Sequence, residues 1–499
     1  MVGLANLFGL ERKEGSTLNV VGIVLLGVSM LMFAAAAANA VSGESLRPFL
    51  VPGAPGFVAG VLLVSLFRIS DTVRPVNGLF MLGAVWFVAI FFGTTPYLLS
   101  GFSFPDAVFE STSGFTTCGA TVWDGSAELS AGILLWRSLT QWIGGIAIIL
   151  IFLFIMPLIG FGGRTMFGNE IHGSGSPNFT ARMKDAGKQF VVIYAGLTTV
   201  MLAIMLALGN DAMDSLCITL STVSTGGFLN SGGSMQGCRM VVKWVVVVFM
   251  FLGGTNFYLH YKAVTAKDPR TYFKNTEFRT MFLWFGFLVC FILYLLYDAG
   301  VDPSGKGSFV ENFTDVSFNV VSMATSTGYG SSDYTTWTHG AVVLLFVAVF
   351  VGSSAGSTGG GVKISRIIIV ATYVRNGLRK LVHPHGVFDV KYSGSSLDEG
   401  TVNATVTIFI MFMVTAVVGT MVVMLHGIPI NEAITTTVAC LADTGPATGS
   451  FGPLSGYGGA PASLKFFYSL LMWVGRLEVM AAIALLTPGF WKELITRGR

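Results

Sequence analysis

The sequence predicts an all-α polytopic membrane fold: an initial helix pair, then four copies of a helix–re-entrant-loop–helix unit. Three observations carry this expectation. Apolar blocks are long enough to cross a bilayer, Lys and Arg cluster on one side of the implied topology, and a short Thr/Ser-Gly phrase returns four times. Of the 499 residues, 53% are hydrophobic and 11% charged, too few charges to cover a soluble surface of this size. Met281–Tyr297 and Thr405–Leu425 contain no charged side chain. A net charge of +3 gives no reason to expect a nucleic acid partner. The five cysteines form no CxxC pair and the six histidines no HExxH, which argues against a disulfide framework, a zinc site or a metalloprotease. A membrane enzyme would need a constellation of His, Cys or paired carboxylates, and none is apparent.

Ten spanning segments are expected from window length and hydropathy. The first two lie near Leu18–Ala40 and Gly56–Phe67. The run ending at Ala38-Asn39-Ala40 resembles a signal-peptidase site, but a long polar stretch with Glu11 and Glu14 precedes it, so the first helix is expected to be retained. Four pairs follow. Their first members lie near Asn77–Leu99, Phe190–Leu208, Thr280–Tyr297 and Val402–Leu425. Their second members lie near Leu129–Ile159, Val241–Tyr261, Val342–Tyr373 and Leu464–Leu486. The implied division is 1–75 for the initial pair and 76–185, 186–275, 276–395 and 396–499 for repeats 1 to 4.

Basic residues flank the links between these pairs: Arg12 and Lys13; Arg68 and Arg74; Arg164, Arg182, Lys184 and Lys188; Lys262, Lys267, Arg270, Lys274 and Arg279; Lys363, Arg366, Arg375, Arg379 and Lys380; Lys492, Arg497 and Arg499. The positive-inside rule makes that side cytoplasmic, with both termini inside. Carboxylates fill the loops within the pairs, among them Asp106, Glu110, Asp124, Asp214, Glu311, Asp315, Asp333 and Asp443. Arg47, Arg137, Arg239, Lys243 and Lys306 are exceptions at the outer ends.

Each loop carries a related phrase: Glu110–Gly119, Leu220–Phe228, Val321–Tyr329 and Thr437–Gly445. An amphipathic stretch leads in, as at Pro105–Ser113 and Asn312–Met323. The glycines Gly119, Gly227, Gly328 and Gly445 stand 108, 101 and 117 residues apart, the mark of an internal repeat rather than of four unrelated turns. A Thr/Ser-Gly run at membrane depth would leave lipid-facing backbone unpaired, so it belongs beside a water-filled path. There its carbonyls can replace an ion's hydration shell, as in a potassium filter, and the C-terminal end of each preceding helix favours a cation. The fold expected is therefore four helix–pore-loop–helix repeats around one pore.

Two further features stand out. Gly352, Ser353, Ser354, Ala355, Gly356, Ser357, Thr358, Gly359, Gly360 and Gly361 interrupt a hydrophobic helix, with Lys363 and Arg366 just beyond. Small residues can serve close helix packing. This run is small on every face, which favours an unwound stretch along a transport path or at a moving gate. Arg476 lies inside the last hydrophobic segment, either as a structural ion pair with Glu478 or a neighbouring carboxylate, or as a fixed charge along the pore.

The phrases Ser113–Gly119, Thr140–Gly145, Ser221–Gly227, Met250–Phe257, Gly352–Lys363 and Gly475–Glu478 together resemble the Trk/Ktr/HKT superfamily of potassium transporters, most closely its TrkH/TrkG branch. The resemblance runs from about Asn77 to the end. It implies potassium binding at Thr116, Thr117, Cys118 and Gly119, at Thr225, Gly226 and Gly227, at Ser326, Thr327 and Gly328, and at Asp443, Thr444 and Gly445. It implies that 352–361 with Lys363 is an intramembrane gating loop and that Arg476 lies in the pore. Gly119, where some plant members have serine, implies potassium over sodium. Asp443, where many relatives have asparagine, and Cys118, where threonine is common, depart from the pattern. The resemblance further implies a homodimer with one pore per protomer in the inner membrane, and a cytosolic nucleotide-binding ring of the TrkA type. No cofactor is expected in this chain beyond the transported ion. A sodium- or proton-coupled symporter is the alternative, but no relay of intramembrane carboxylates is visible.

Overall fold

The computed structural model describes residues 13–69, 74–154 and 179–496. Arg12, Arg164, Arg497 and Arg499, and the end of the segment expected to reach Ile159, fall outside them. The initial pair is α1 (Ser16–Val41) and α2 (Arg47–Leu66), the most extensively packed pair of helices among the described residues. α2 starts earlier than the expected Gly56, because Pro48 opens it at a position that needs no N–H donor, and Pro52 and Pro55 are carried inside it. Its glycines serve contact rather than breakage: a side chain at Gly60 would press on the backbone of Gly22 and Leu26 in α1.

Four units follow, each a long helix, a half-helix and a second helix. In repeat 1 these are α3 (Pro75–Gly93) with the short α4 (Thr95–Leu99), α5 (Phe104–Thr116) and α6 (Ala131–Phe154). Repeat 2 has α7 (Phe179–Ala207), α8 (Ala212–Val223), α9 (Met240–Gly253) and α10 (Phe257–Ala266); α11 (Arg270–Lys274) links onward. Repeat 3 has α12 (Thr276–Asp298), α13 (Phe309–Ala324), α14 (His339–Val351) and α15 (Ile364–Val382). Repeat 4 has α16 (Glu399–Met424), α17 (Ile430–Leu441), α18 (Ala462–Arg476) and α19 (Val479–Leu486); α20 (Pro488–Thr496) follows.

Among the described residues, seven helices are long and apolar enough to span a bilayer, and nine spans result if each bent pair counts as one. α14 is apolar but shorter. The chain is thus a multi-pass membrane protein. The expected continuous second members are broken in two places: α9 and α10 meet at 96°, α18 and α19 at 116°. The first break falls at Gly253-Gly254-Thr255-Asn256, where Asn256 caps α10 by accepting from the Tyr258 N–H at 2.9 Å. The third second member is broken as expected, between Val351 and Ile364. Two tiny ladders complete the described residues: β1 (Lys13–Glu14) with β2 (Phe67–Arg68), and β3 (Lys391–Tyr392) with β4 (Ser395–Ser396), the latter a hairpin in the link between repeats 3 and 4. Below, the loop side is the end of the bundle where the half-helices start, and the link side is the end where one repeat joins the next.

Candidate functional site

All four half-helices end in the same way. Thr117, Thr225, Ser326 and Asp443 adopt left-handed φ of 56°, 51°, 56° and 51°, and two residues later Gly119, Gly227, Gly328 and Gly445 have φ of 83°, 83°, 81° and 92°. The intervening residue closes the turn: the N–H of Cys118, Gly226, Thr327 and Thr444 donates to the carbonyl of Ser113, Ser221, Ser322 and Ala439 at 2.9, 2.7, 2.8 and 2.8 Å. This is a Schellman cap, whose left-handed position is usually glycine. Here hydroxyls and one carboxylate hold it, and such cost is tolerated where a side chain is wanted.

The glycines then close a ring. A Cβ on Gly119 would collide with the carbonyl oxygen of Gly226, one on Gly227 with that of Thr327, one on Gly328 with that of Thr444, and one on Gly445 would meet that of Cys118 at 2.6 Å. Each loop abuts the next in chain order, and the fourth abuts the first. Only glycine permits both the backbone angle and this approach. On the loop side the ring opens into a depression lined by Gly119, Gly227, Gly328, Arg137 and Tyr457. The Tyr457 hydroxyl donates to the Gly445 carbonyl at 2.7 Å.

Around this mouth, a carboxylate stands eleven residues before each left-handed residue: Asp106, Asp214, Asp315 and Glu432. Lys465 of α18 reaches Asp106 at 2.6 Å, joining repeat 4 to repeat 1. Lys243 of α9 reaches Asp315 at 2.6 Å, joining repeat 2 to repeat 3. Arg137 of α6 pairs with Glu110 at 3.2 Å and donates to the Leu229 carbonyl at 2.8 Å, joining repeat 1 to repeat 2. Between repeats 3 and 4 the bridge is the Tyr334 hydroxyl, donating to the Ala447 carbonyl at 2.9 Å. So Arg137 and Lys243, exceptions to the charge pattern, are partners of half-helix carboxylates. Sequence reasoning missed Lys465; the regular placement of the four carboxylates was the signal available.

On the link side, residues 352–363 fill the space beneath the ring without regular helix. Thr358 meets the Thr225 hydroxyl at 3.0 Å and donates to the Gly253 carbonyl at 3.0 Å. The Gly360 N–H donates to the Ser326 hydroxyl, and side chains at Gly359 and Gly360 would overlap the carbonyls of Thr325 and Ala442. Small residues here therefore serve both purposes: the stretch is unwound, and it lies against the ring's own left-handed residues. Lys363 donates to the Gly359 carbonyl. Arg366 pairs with Glu478 at 2.6 Å.

Arg476 is buried and makes no hydrogen-bonded pair with Glu478. Glu478, with φ of 67°, forms the bend after α18 and takes Arg366 instead. Arg476 donates to the carbonyls of Thr358 at 2.8 Å and Gly144 at 3.2 Å, with its Nε unpaired. Asp443 is buried beside Gly475 and Gly360, and its Oδ1 has no hydrogen-bond partner. Of the sequence-selected residues, the ring brings together Thr117–Gly119, Thr225–Gly227, Ser326–Gly328 and Asp443–Gly445. Thr116 remains in the last turn of α5, its hydroxyl donating to the Thr112 carbonyl at 2.8 Å.

Comparison with known proteins follows this geometry. The family model TrkH, a cation transport protein, matches residues 57–488. The Trk system potassium uptake protein TrkH of Halomonas elongata is 32% identical over 426 residues, covering 84% of this chain and 87% of the relative. That of Escherichia coli K12 is 30% identical over 430 residues, covering 84% and 86%. The crystal structure of the potassium transporter TrkH from Vibrio parahaemolyticus matches with a TM-score of 0.86 at 28% identity, over 95% of this chain and 99% of that one. A match over most of the sequence, on a helical bundle with the same architecture, places this chain in the TrkH family of cation transport proteins, which are transporters and not enzymes.

Proposed function

We propose that this chain takes up potassium across the inner membrane through a gated, channel-like pore whose selectivity filter is the four-loop ring. The observation that carries the reading is the ring itself: four backbone turns, each locked by a glycine against the next loop's carbonyl. The ion enters from the loop side, which the positive-inside rule makes external. It exchanges its water for backbone carbonyls, helped by hydroxyl oxygens of the same residues. Four half-helices end at the ring, and their C-terminal dipoles favour a cation over an anion. Beneath it, residues 352–363 block the path, and Arg476 adds a fixed positive charge that opposes the ion. Opening requires the unwound segment to move aside, driven by a cytosolic nucleotide-binding subunit acting on the link side of a homodimer.

A buried, unpaired Asp443 oxygen is the feature that most favours proton-coupled symport among the described residues. A test covers both readings: purified protein in liposomes, with fluxes of potassium, rubidium, sodium and lithium and the reversal potential measured under ion and pH gradients. A channel-like pore gives potassium and rubidium flux with a reversal potential set by potassium alone. Sodium flux equal to potassium flux rejects the filter, and a reversal potential that follows pH establishes coupling.

A further inference from the structure

The unwound segment is held from a third direction that the pore reading leaves unused. Glu277 lies in the first turn of α12, buried, on the link side. Its Oε1 accepts the Ala355 N–H at 2.9 Å, in the middle of the segment. Ser365, buried in the first turn of α15 just after the segment, lies beside the same carboxylate, and its hydroxyl has no hydrogen-bond partner. A carboxylate at the start of α15 also suits the unsatisfied N–H groups and positive dipole end there. The third group is Tyr392 of β3, which approaches Glu277 from the hairpin between repeats 3 and 4. Burial first, and the Glu277 charge second, raise the Tyr392 phenol above its ordinary value, so it stays a neutral phenol. The link carrying this hairpin is tied to α15, where the Asn376 amide donates to the Asp389 carbonyl at 3.0 Å.

We propose that Glu277 is the positioning residue of the 352–363 segment: it latches Ala355 and the start of α15 in the blocking arrangement and connects that latch, through Tyr392, to the hairpin on the link side. This rests on the reading of the segment as the gate. A buried carboxyl acceptor and the N–H that donates to it are costly to separate without replacement, so one such contact biases a two-state segment measurably. Displacing the hairpin withdraws the Tyr392 phenol from beside the carboxylate and so changes the surroundings of the latch. A partner acting on the link side thus has a route to the segment that does not pass through the ring.

The test uses the full chain in liposomes, with rubidium flux normalised to correctly folded protein. Glu277→Ala should raise basal flux about tenfold, the loss expected for one buried hydrogen bond to a charged group. Glu277→Gln, with one acceptor oxygen in place of two, should raise it about threefold, and Tyr392→Phe about twofold. The rubidium-to-sodium ratio should stay unchanged in all three, since none touches the ring. A second readout does not need conduction. In Ser357→Cys, labelling by an impermeant thiol reagent from the link side should speed up when Glu277→Ala is added, with Glu277→Ala alone as the control for native cysteines. If Glu277→Ala fails to assemble, the Gln and Phe variants decide. Wild-type basal flux and wild-type labelling in folded Glu277 variants overturn the latch. A wild-type protein that passes no potassium overturns the pore reading instead, and faster labelling in the Glu277→Ala background would still support the latch.

Discussion

Repeats 1 and 3 begin alike and end differently. Both half-helices finish in a Schellman cap with a hydroxyl residue left-handed and a glycine two positions later. Their second helices then diverge. α6 runs unbroken from Ala131 to Phe154, and Gly144 lets it press against the Phe115 carbonyl. The same approach recurs in repeats 2 and 4, where Gly253 and Gly475 sit against the carbonyls of Val223 and Leu441. In repeat 3 the helix stops at Val351, and the next twelve residues occupy the space under the ring instead. The loop side is therefore repeated and the link side specialised. On the proposed reading, one serves an ion that meets four loops together and the other is a single moving part, whose displacement few regular hydrogen bonds resist.

The largest effect is expected where the repeated side is broken. Gly227→Ala and Gly328→Ala each combine a φ above 80° with a collision against a backbone carbonyl, so potassium flux should be lost and folded yield should fall. Gly119→Ser, under the same constraint, should cut flux and raise sodium permeability relative to potassium. An unchanged ratio in well-expressed protein would remove Gly119 from the filter. Next comes the specialised side. Deleting Ser353–Thr358 should raise basal flux and weaken dependence on the proposed cytosolic subunit while leaving ion preference intact. Low, fully regulated flux in the deletion would show that the segment only packs helices.

Arg476→Ala should raise flux per folded molecule several-fold, because it removes both a fixed charge and the hydrogen bond to the Thr358 carbonyl. Constant flux with reduced yield would make the residue purely structural. A smaller functional effect is expected at the mouth. Lys243→Met leaves Asp315 buried without its partner, which should cost about 3 kcal/mol of stability, read as a lower Tm, with ion preference retained. The smallest is the exposed pair Lys274–Asp268 at 3.4 Å, where Lys274→Ala should leave Tm and flux unchanged.

The repeat was legible because its chemistry is local: a hydroxyl-rich phrase closing on glycine shows in the sequence wherever it occurs. Ring closure was not, since the contact of Gly445 with Cys118 joins residues 327 positions apart. The unwound segment was legible because ten small residues leave a helix no face to bury. The bends after Gly253 and Arg476 were less so, because apolar residues continue through both and hydropathy does not register a change of direction. Window length also placed the start of α2 too late. The apolar window opens after Pro48, Pro52 and Pro55, whereas the structure carries all three in the early turns of the helix. The sequence left the partner of Arg476 open between Glu478, another carboxylate and a place along the pore; a residue two positions away is not a neighbour once the chain turns at Glu478, which points to Arg366 112 residues away.

Because one polypeptide supplies all four sides of the ring, a substitution there arrives once. In an assembly of four identical subunits, an acidic residue at the left-handed position would bring four charges around one axis. Here Asp443 brings a single carboxyl group, in a ring with three hydroxyl residues. Gene duplication within a single chain thus allows the chemistry of an ion path to be changed one quadrant at a time, and makes an off-axis, asymmetric passage accessible to selection.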